Sequence, residues 1–274
     1  MEEASKVKND TQRIRLKLNQ ITPDNLERKI SELREMLIGE HKLLNEEGYD
    51  PVAASTFSIN EDVLQIVVQT IFRKAQVEHT YSKFYSQLCS TIVKIDLESQ
   101  GKRAIPSNLK HCNFRKKLLE YCRSVFEEIF QQRDFEVLKK EADDAGKTYT
   151  LDDFKEMSLK RQHKLFGNIE FIGELYLSHL LRADTAKSIF ENLLNLQCFA
   201  DDTVEAAIKF IEKIGPTIEE RIKAKAGGET GGGKRVITQE EYKEILDKFK
   251  QIWETSEANV EGSRKVAKRI QKLI

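Results

Sequence analysis

The stretch Leu165-Phe166-Gly167-Asn168-Ile169-Glu170-Phe171-Ile172-Gly173-Glu174-Leu175-Tyr176 carries apolar residues at helical spacing. Its Gly167 and Gly173 are unusual inside a helix, because each glycine costs about 1 kcal/mol relative to alanine. Since glycine has no Cβ, a neighbouring helix can pack near its backbone. We therefore expect a helix at a close helix–helix contact. On physical grounds alone, the stretch fits a structural role and a binding role equally well.

The same helical period extends through both halves of the chain. Two of the apolar stripes are Val63, Ile66, Val67 and Ile71, and Tyr81, Phe84, Tyr85, Leu88 and Ile92. Helix starts are marked by capping-box spacing at Ser58 with Glu61 and at Thr238 with Glu241. Pro23, after Thr22, fits a first helical position.

The helices sort into about five pairs, at 11–38, 60–95, 113–180, 184–222 and 238–274. Consecutive helices joined by short turns lie antiparallel, and pairs of about 40 residues stack as an α-solenoid. The predicted fold class is therefore an all-α solenoid. One domain is expected at 11–274, after a disordered extension at 1–10, with mobile loops near 39–57, 96–111, 133–158 and 223–236.

Charge and cysteine usage limit the classes of protein. Lys+Arg and Asp+Glu both number 45, so no global basic excess indicates a nucleic-acid binder. The four cysteines have no Cys-x-x-Cys spacing and fall mostly in apolar helical stretches, which is typical of reduced core thiols. No signal-peptide core is present, and no run of about 18 apolar residues predicts a membrane helix. A soluble, cytoplasmic protein is expected.

The segment 228–234 matches the G-x-x-x-x-G-K pattern of a phosphate-binding loop. However, Arg235 stands where that loop needs Ser or Thr for magnesium, and no apolar strand precedes it. Its composition favours a flexible linker. The five histidines lack metal-ligand spacing, and no local nucleophile signature is present. The sequence therefore predicts no enzyme, no metal and no cofactor.

Basic residues form clusters at 115–117, 160–164 and 264–272. In a chain this rich in charge, such a cluster is more often a solvated helix face than a surface for phosphates. The C-terminal cluster is the densest, and it follows Lys234-Arg235 in sequence order. The candidates for RNA contact are therefore Lys234, Arg235, Arg264, Lys265, Lys268 and Arg269.

The segment 165–176 resembles part of the middle domain of the eukaryotic translation initiation scaffold called initiation factor 4G, which contains a similar Leu-Gly-Asn-Ile-x-Phe-Ile-Gly-Glu-Leu-Phe run. Further segments resemble that domain in the same order. They are Leu18-Asn19-Gln20-Ile21-Thr22-Pro23-Asp24-Asn25, Ile71-Phe72-Arg73-Lys74-Ala75, Phe114-Arg115-Lys116-Lys117-Leu118-Leu119 and Ile214-Gly215. Together they cover most of the chain between 11 and 222.

The resemblance implies a crescent of five HEAT repeats that binds the DEAD-box RNA helicase initiation factor 4A, contacts RNA and hydrolyses nothing. A rigid crescent that touches both helicase lobes holds them near the closed geometry and favours productive cycles. Carried over residue by residue, the resemblance implies helicase-binding positions at Asn19, Thr22, Pro23, Asp24, Asn25, Asn168, Phe171 and Glu174.

The chain departs from the family pattern near its C-terminus. The last repeat of the family begins Ser-Arg-Ile-Arg-Phe, whereas this chain has Ser263-Arg264-Lys265-Val266-Ala267 and lacks the aromatic residue. The resemblance therefore does not extend to the contact with the second helicase lobe. A complete Tyr-x-x-x-x-Leu-apolar motif for the cap-binding partner is also absent, because Arg182 follows Tyr176 and Leu181.

Two alternatives stay open. The same fold serves middle-domain scaffolds of nonsense-mediated decay, splicing and nuclear cap binding, which also bind helicases or RNA. A nucleotide-binding enzyme that uses 228–234 is less favoured. A pull-down against the different helicases separates the scaffolds, and nucleotide binding by the isolated chain tests the enzyme.

Overall fold

The computed structural model describes residues 12–38, 59, 61–99, 112–131, 150–195, 201–226 and 236–257. These ranges form nine α-helices and contain no β-strand. The all-α fold that the apolar spacing predicts is therefore confirmed.

The helices follow one another as α1 at 12–19, α2 Leu26–Ile38, α3 Glu61–Val77, α4 Ser82–Ser99, α5 Asn113–Gln131, α6 Leu151–Leu177, α7 Ala183–Leu193, α8 Asp201–Ala226 and α9 Gln239–Glu257. Short 3-10 helices, Pro23–Asn25 and His79–Tyr81, form the turns inside the first two pairs. The capping box predicted at Thr238 is confirmed: the Glu241 N–H donates to Thr238 Oγ1 at 3.2 Å, and the Thr238 N–H donates to Glu241 Oε2 at 3.0 Å.

The chain divides into two compact units, Met1–Glu127 and Glu128–Ile274, and the boundary falls inside α5. The sequence predicts a single domain instead, and that organisation stays a prediction.

In the first unit, α1 and α2 are antiparallel. Lys17 near the end of α1 pairs with Glu32 of α2, and Gln20 Oε1 accepts a hydrogen bond from Lys29 Nζ at 3.0 Å. Gln20, just after α1, thus meets an earlier residue of α2 than Lys17 does.

The helices α3 and α5 of the first unit are parallel. Glu61 and Phe72 of α3 meet residues of α5 in the same order along the chain: Lys117 Nζ lies 3.1 Å from Glu61 Oε2, and the Tyr121 ring lies 5.2 Å from that of Phe72. In the other layer, α2 packs on α4, where Arg34 Nη2 lies 2.9 Å from Glu98 Oε2. The unit is therefore built from two layers of helices, as in stacked helix pairs.

The second unit repeats this arrangement. Arg161 of α6 reaches Asp202 of α8 at 2.8 Å, and Glu174, further along α6, reaches Lys213 of α8 at 2.8 Å, so the two helices are parallel. In the other layer, α9 packs on α7, where Lys187 Nζ lies 3.3 Å from Glu241 Oε1. Each unit thus has the layered order of helical repeats.

Three of the predicted loops are shorter than expected, because helices extend into them. The helix α4 continues to Ser99, since Asp96, Leu97 and Ser99 are buried. A capping box between Thr150 and Asp153 starts α6 inside the predicted loop 133–158, and α8 continues to Ala226. Charge-rich sequence hid the start of α6 and the end of α8, because solvated helix ends carry no apolar stripe. The rest of these segments, and the loop at 39–57, lies outside the described residues, apart from 236.

The core of the described residues is aliphatic and aromatic. Cys89, Cys112 and Cys122 are free thiols buried within it, as their apolar surroundings predict, and Cys198 lies outside the described residues. Burial raises the pKa of all three thiols, and that of Cys112 reaches about 12, with the Asp96 carboxylate adding to the effect of burial. Within the described part of the chain, no helix has the length and hydropathy needed to span a membrane.

Candidate functional site

The turn between α1 and α2 is held together by its own polar groups. The Thr22 N–H donates to Asn25 Oδ1 at 2.8 Å, and Asn25 Nδ2 donates to the carbonyl oxygen of Gln20 at 2.9 Å. The oxygen and the nitrogen of the Asn25 amide therefore both stabilise the turn, and the residue is half-buried. Proline at the start of the 3-10 helix gives up an N–H that would have no partner there.

The other four predicted positions on this turn face solvent. Asn19, Thr22, Pro23 and Asp24 are all exposed. They present amide, hydroxyl and carboxylate groups, which suit recognition of a protein surface rather than covalent chemistry. Of the five predicted contact positions here, four are free to meet a partner and one builds the turn.

Ion pairs below the turn fix the angle between its two helices. Lys29 is buried, and its Nζ donates to Gln20 and lies 3.2 Å from Glu32 Oε2, which also pairs with Lys17. Hydrogen bonds from Lys17 and Lys29 hold the pKa of Glu32 below its usual range. The turn is therefore presented on a rigid base.

The structure places Asn168 and Phe171 of the α6 motif in the core, with 0% of either residue exposed. A side chain without exposed surface cannot touch a partner that docks on the folded domain. These two residues therefore support the fold from inside and do not present a surface for the expected helicase contact. The helical period located them on α6, but it could not show which sides of α6 the neighbouring helices cover.

Glu174 has a partner inside the protein. Its Oε1 lies 2.8 Å from Lys213 Nζ of α8, which also pairs with Glu170, and the Glu174 side chain is 12% exposed. Burial by itself would lower the pKa of Lys213, but the two carboxylates raise it above its usual value. Lys213 is therefore charged at neutral pH and joins α6 to α8.

Gly173 explains how Lys213 reaches the two carboxylates. A Cβ at this position would lie 2.6 Å from Lys213 Cδ, closer than atoms can approach. The glycine leaves room for the lysine stem to cross α6, so the close contact at this residue is with a side chain of α8. Sequence reasoning missed Lys213, although two glutamates one turn apart on either side of a glycine were a usable signal.

Most basic residues of the two clusters in the described residues are ion-paired or buried. Lys117 pairs with Glu61 at 3.1 Å, and Lys116 with Glu120 at 3.9 Å, while Arg115 is buried. In the other cluster, Lys160 pairs with Glu156 and Arg161 with Asp202. These clusters act as solvated or ion-paired helix faces, the more frequent case.

The candidates for RNA contact, Lys234, Arg235, Arg264, Lys265, Lys268 and Arg269, lie outside the described residues, as does the segment 228–234. Among the residues that the structure describes, no three His, Cys, Asp or Glu side chains group as ligands for a metal ion.

Comparison with known proteins places this geometry in a family. The family model of the MIF4G domain matches residues 12–273, which is nearly the whole chain. The chain belongs to the MIF4G domain family. The paired helices and the motif on α6 are therefore features of a MIF4G domain.

Relatives of this MIF4G domain include translation factors. Eukaryotic translation initiation factor 4 gamma 3 of Homo sapiens is 30% identical over 165 residues, which cover 58% of this chain and 10% of that protein. Eukaryotic translation initiation factor 4 gamma 1 of Mus musculus is 25% identical over 224 residues, or 79% of this chain and 12% of that protein. A von Willebrand factor A domain-containing protein of Dictyostelium discoideum is 26% identical over 168 residues, or 60% of this chain and 7% of that protein.

The matched regions span about a tenth of the length of these relatives. The MIF4G domain and its relatives together support a scaffold of the translation-initiation type.

Proposed function

We propose that this MIF4G domain is a non-catalytic scaffold of translation initiation in the cytoplasm, which binds and stimulates the DEAD-box helicase initiation factor 4A and contacts RNA. Family membership and the translation-factor relatives support the scaffold. The observation that carries the helicase contact is the turn between α1 and α2, whose four outward side chains sit on an ion-paired base.

Within the proposed helicase contact, the turn contributes the predicted positions that are exposed. Asn19, Thr22, Pro23 and Asp24 contact the helicase, and Asn25 positions them through its two hydrogen bonds. Glu174 acts through Lys213 by fixing α6 against α8, and Asn168 and Phe171 support α6 from the core.

Binding to purified initiation factor 4A tests this function. The double variant Asn19→Ala/Asp24→Lys removes one side chain of the turn and reverses the charge of another. Both residues are exposed, so the fold is expected to persist. We expect the dissociation constant to rise about tenfold or more, which corresponds to about 1.4 kcal/mol for the loss of an interface contact.

ATPase measurements complete the test. The wild-type domain is expected to raise the RNA-dependent ATPase of the helicase and to show no ATPase activity without it. Lys155→Ala is the matched control, because this exposed lysine of α6 pairs only within its own helix. If the wild-type domain neither binds nor stimulates initiation factor 4A, the proposed function is wrong.

The other middle-domain scaffolds are separated by a parallel assay. Helicases of nonsense-mediated decay and splicing, offered in the same binding experiment, are expected to bind more weakly than initiation factor 4A. If a helicase of nonsense-mediated decay or splicing binds more tightly, the domain is instead a scaffold of that pathway. A nuclease treatment in a lysate pull-down separates direct protein partners from those bridged by RNA.

A further inference from the structure

Thr22 is the one hydroxyl residue of the chain that stands directly before a proline. The four prolines follow Thr22, Asp50, Ile105 and Gly215. Proline has no backbone N–H, and any other residue in its place brings one. A protein kinase whose substrate groove holds no acceptor after the hydroxyl residue selects proline there, because another residue would leave its N–H buried and unpaired. Thr22-Pro23 is therefore a substrate motif for a proline-directed protein kinase.

The structure presents this dipeptide where an enzyme can reach it. Thr22 and Pro23 are both exposed, and the Thr22 backbone is extended, with φ −128° and ψ 163°. An extended backbone is the conformation in which a peptide lies in a substrate groove. The 3-10 helix after Thr22 is held by two hydrogen bonds of Asn25, and both are exposed to solvent. Water can replace them, so brief local opening of the turn costs little free energy.

Thr150 shows which feature is specific to Thr22. It is also an exposed threonine with an extended backbone before a helix, with φ −79° and ψ 163°. However, Leu151 follows it, and its hydroxyl donates to Asp153 Oδ2 at 2.7 Å and accepts from the Asp153 N–H at 3.2 Å. Exposure and backbone conformation are shared by the two threonines, whereas the proline distinguishes Thr22.

A phosphate on Thr22 changes the charge of the turn between α1 and α2. A phosphothreonine carries a charge of about −1.5 to −2 at pH 7. It stands two residues before Asp24 and five before Glu27, which are both exposed. Repulsion from these carboxylates and the desolvation of the phosphate both oppose its burial under a partner. A negative charge before the first turn of a helix does not oppose the fold, so the effect falls on the contact with the partner.

We infer that Thr22 is phosphorylated by a proline-directed protein kinase and that the phosphate releases the helicase from the turn between α1 and α2. Thr22 Oγ1 bonds to the γ-phosphorus of ATP held by the kinase, and the bond from that phosphorus to the β,γ-bridging oxygen breaks. The hydroxyl proton passes to the catalytic base of the kinase, and ADP leaves. The effect on binding rests on the proposed function, because this turn is the proposed helicase contact.

The first experiment incubates the domain with magnesium, ATP and a purified mitogen-activated protein kinase, which is proline-directed. Mass spectrometry locates the phosphate and follows its incorporation. We expect phosphate at Thr22 and none at Thr150. Pro23→Ala is expected to slow incorporation at Thr22 by about tenfold or more, because it restores the N–H that the groove leaves unpaired. If Thr22 takes up no phosphate, or if Pro23→Ala is phosphorylated at the wild-type rate, the inference is overturned and the proposed function stands.

The second experiment measures binding to purified initiation factor 4A by isothermal titration calorimetry, before and after kinase treatment. We expect phosphorylation to weaken binding by the wild-type domain by about tenfold or more, with no fall in melting temperature. Thr22→Val is the control, because it cannot accept the phosphate. Its affinity after kinase treatment is expected to equal its affinity before treatment.

Three results would contradict the inference. If Thr22 carries the phosphate and binding does not weaken, the inference is overturned and the proposed function stands. The same holds if binding weakens but the phosphorylated domain melts at a clearly lower temperature, because loss of the fold then explains the loss of binding. If the untreated wild-type domain does not bind the helicase, the proposed function and the inference both fail.

Discussion

Gly173 and Lys213 occupy one small space between α6 and α8. The missing Cβ admits the lysine stem, and the ammonium group then lies between Glu170 and Glu174. A glycine in mid-helix costs about 1 kcal/mol in helix propensity. The ion-paired lysine, whose side chain is only 18% exposed, offsets this cost by joining two parallel helices. Close packing, and not backbone conformation, therefore explains this glycine.

A double-mutant cycle tests this account of Gly173. In the wild-type background, Gly173→Ala is expected to destabilise the domain, because the new Cβ displaces Lys213 from its two carboxylates. In a Lys213→Ala background, the same change is expected to stabilise the domain by about 0.5–1 kcal/mol, the propensity gain of alanine. Denaturant unfolding of the four proteins gives the comparison. Equal effects of Gly173→Ala in both backgrounds would contradict the explanation that the glycine makes room for Lys213.

Phe171 tests the internal role of the same motif. Because this ring has 0% of its surface exposed, Phe171→Ala is expected to lower the free energy of unfolding by about 3–5 kcal/mol. Leu159→Ala, on the exposed part of α6, is expected to change it by less than about 0.5 kcal/mol. Urea titration measures both variants. A loss below about 1 kcal/mol for Phe171→Ala would place the ring at the surface and restore a direct partner role.

At the scale of the helices, α4 supplies the start of α5. The Asp96 carboxylate of α4 is fully buried, accepts a hydrogen bond from the Phe114 N–H at 3.0 Å, and lies 3.1 Å from Cys112 Sγ. A carboxylate at a helix N-terminus satisfies a free N–H group and interacts favourably with the helix dipole. The Asp96 side chain of α4 therefore caps the N-terminus of α5 and joins the two antiparallel helices.

Removal of this cap is expected to be costly. Asp96→Ala leaves the Phe114 N–H buried without its acceptor, so we expect a loss of about 1–3 kcal/mol in the free energy of unfolding. Hydrogen exchange is expected to speed up most in the first turn of α5. The control is Glu98→Ala, two residues away on α4, where an exposed pair with Arg34 is worth about 1 kcal/mol or less. Similar losses for both variants would show that Asp96 is not a cap.

At the scale of the whole molecule, equal numbers of acidic and basic residues leave little long-range field to attract a nucleic acid. In the described ranges, the basic clusters around Lys116 and Lys160 pair with carboxylates one turn away. We therefore expect any RNA contact to depend on the local excess of basic residues near the C-terminus. The proposed helicase contact lies instead on the exposed turn between α1 and α2.

RNA binding by the whole domain is expected to depend on the C-terminal cluster. Lys265→Glu/Lys268→Glu should weaken RNA binding and lower the slope of log affinity against log salt by about one for each lost phosphate contact. The control Lys116→Glu/Lys160→Glu reverses two lysines that already have ion-pair partners. Fluorescence anisotropy at several salt concentrations measures both. A larger effect of the control pair would show that RNA binds around Lys116 and Lys160 instead.

Apolar spacing was enough to predict helices, their pairing and most of their ends, because an amphipathic helix repeats its buried positions every 3.6 residues. It failed at Tyr81. This residue continues the stripe of Phe84 and Leu88 in sequence, yet it lies in a 3-10 turn before α4 and is 48% exposed. A stripe extrapolated past a helix start loses its phase, because the backbone there is no longer α-helical.

The sequence by itself determined the all-α fold, the buried reduced thiols and, through the motif at 165–176, the family resemblance. These properties follow from local spacing and composition. Only the tertiary structure decided that Phe171 is internal, that Glu174 is held by Lys213, and that α2 packs on α4. Each of these depends on a residue about 40 or more positions away in sequence, and helical periodicity identifies a buried face without identifying the helix that covers it.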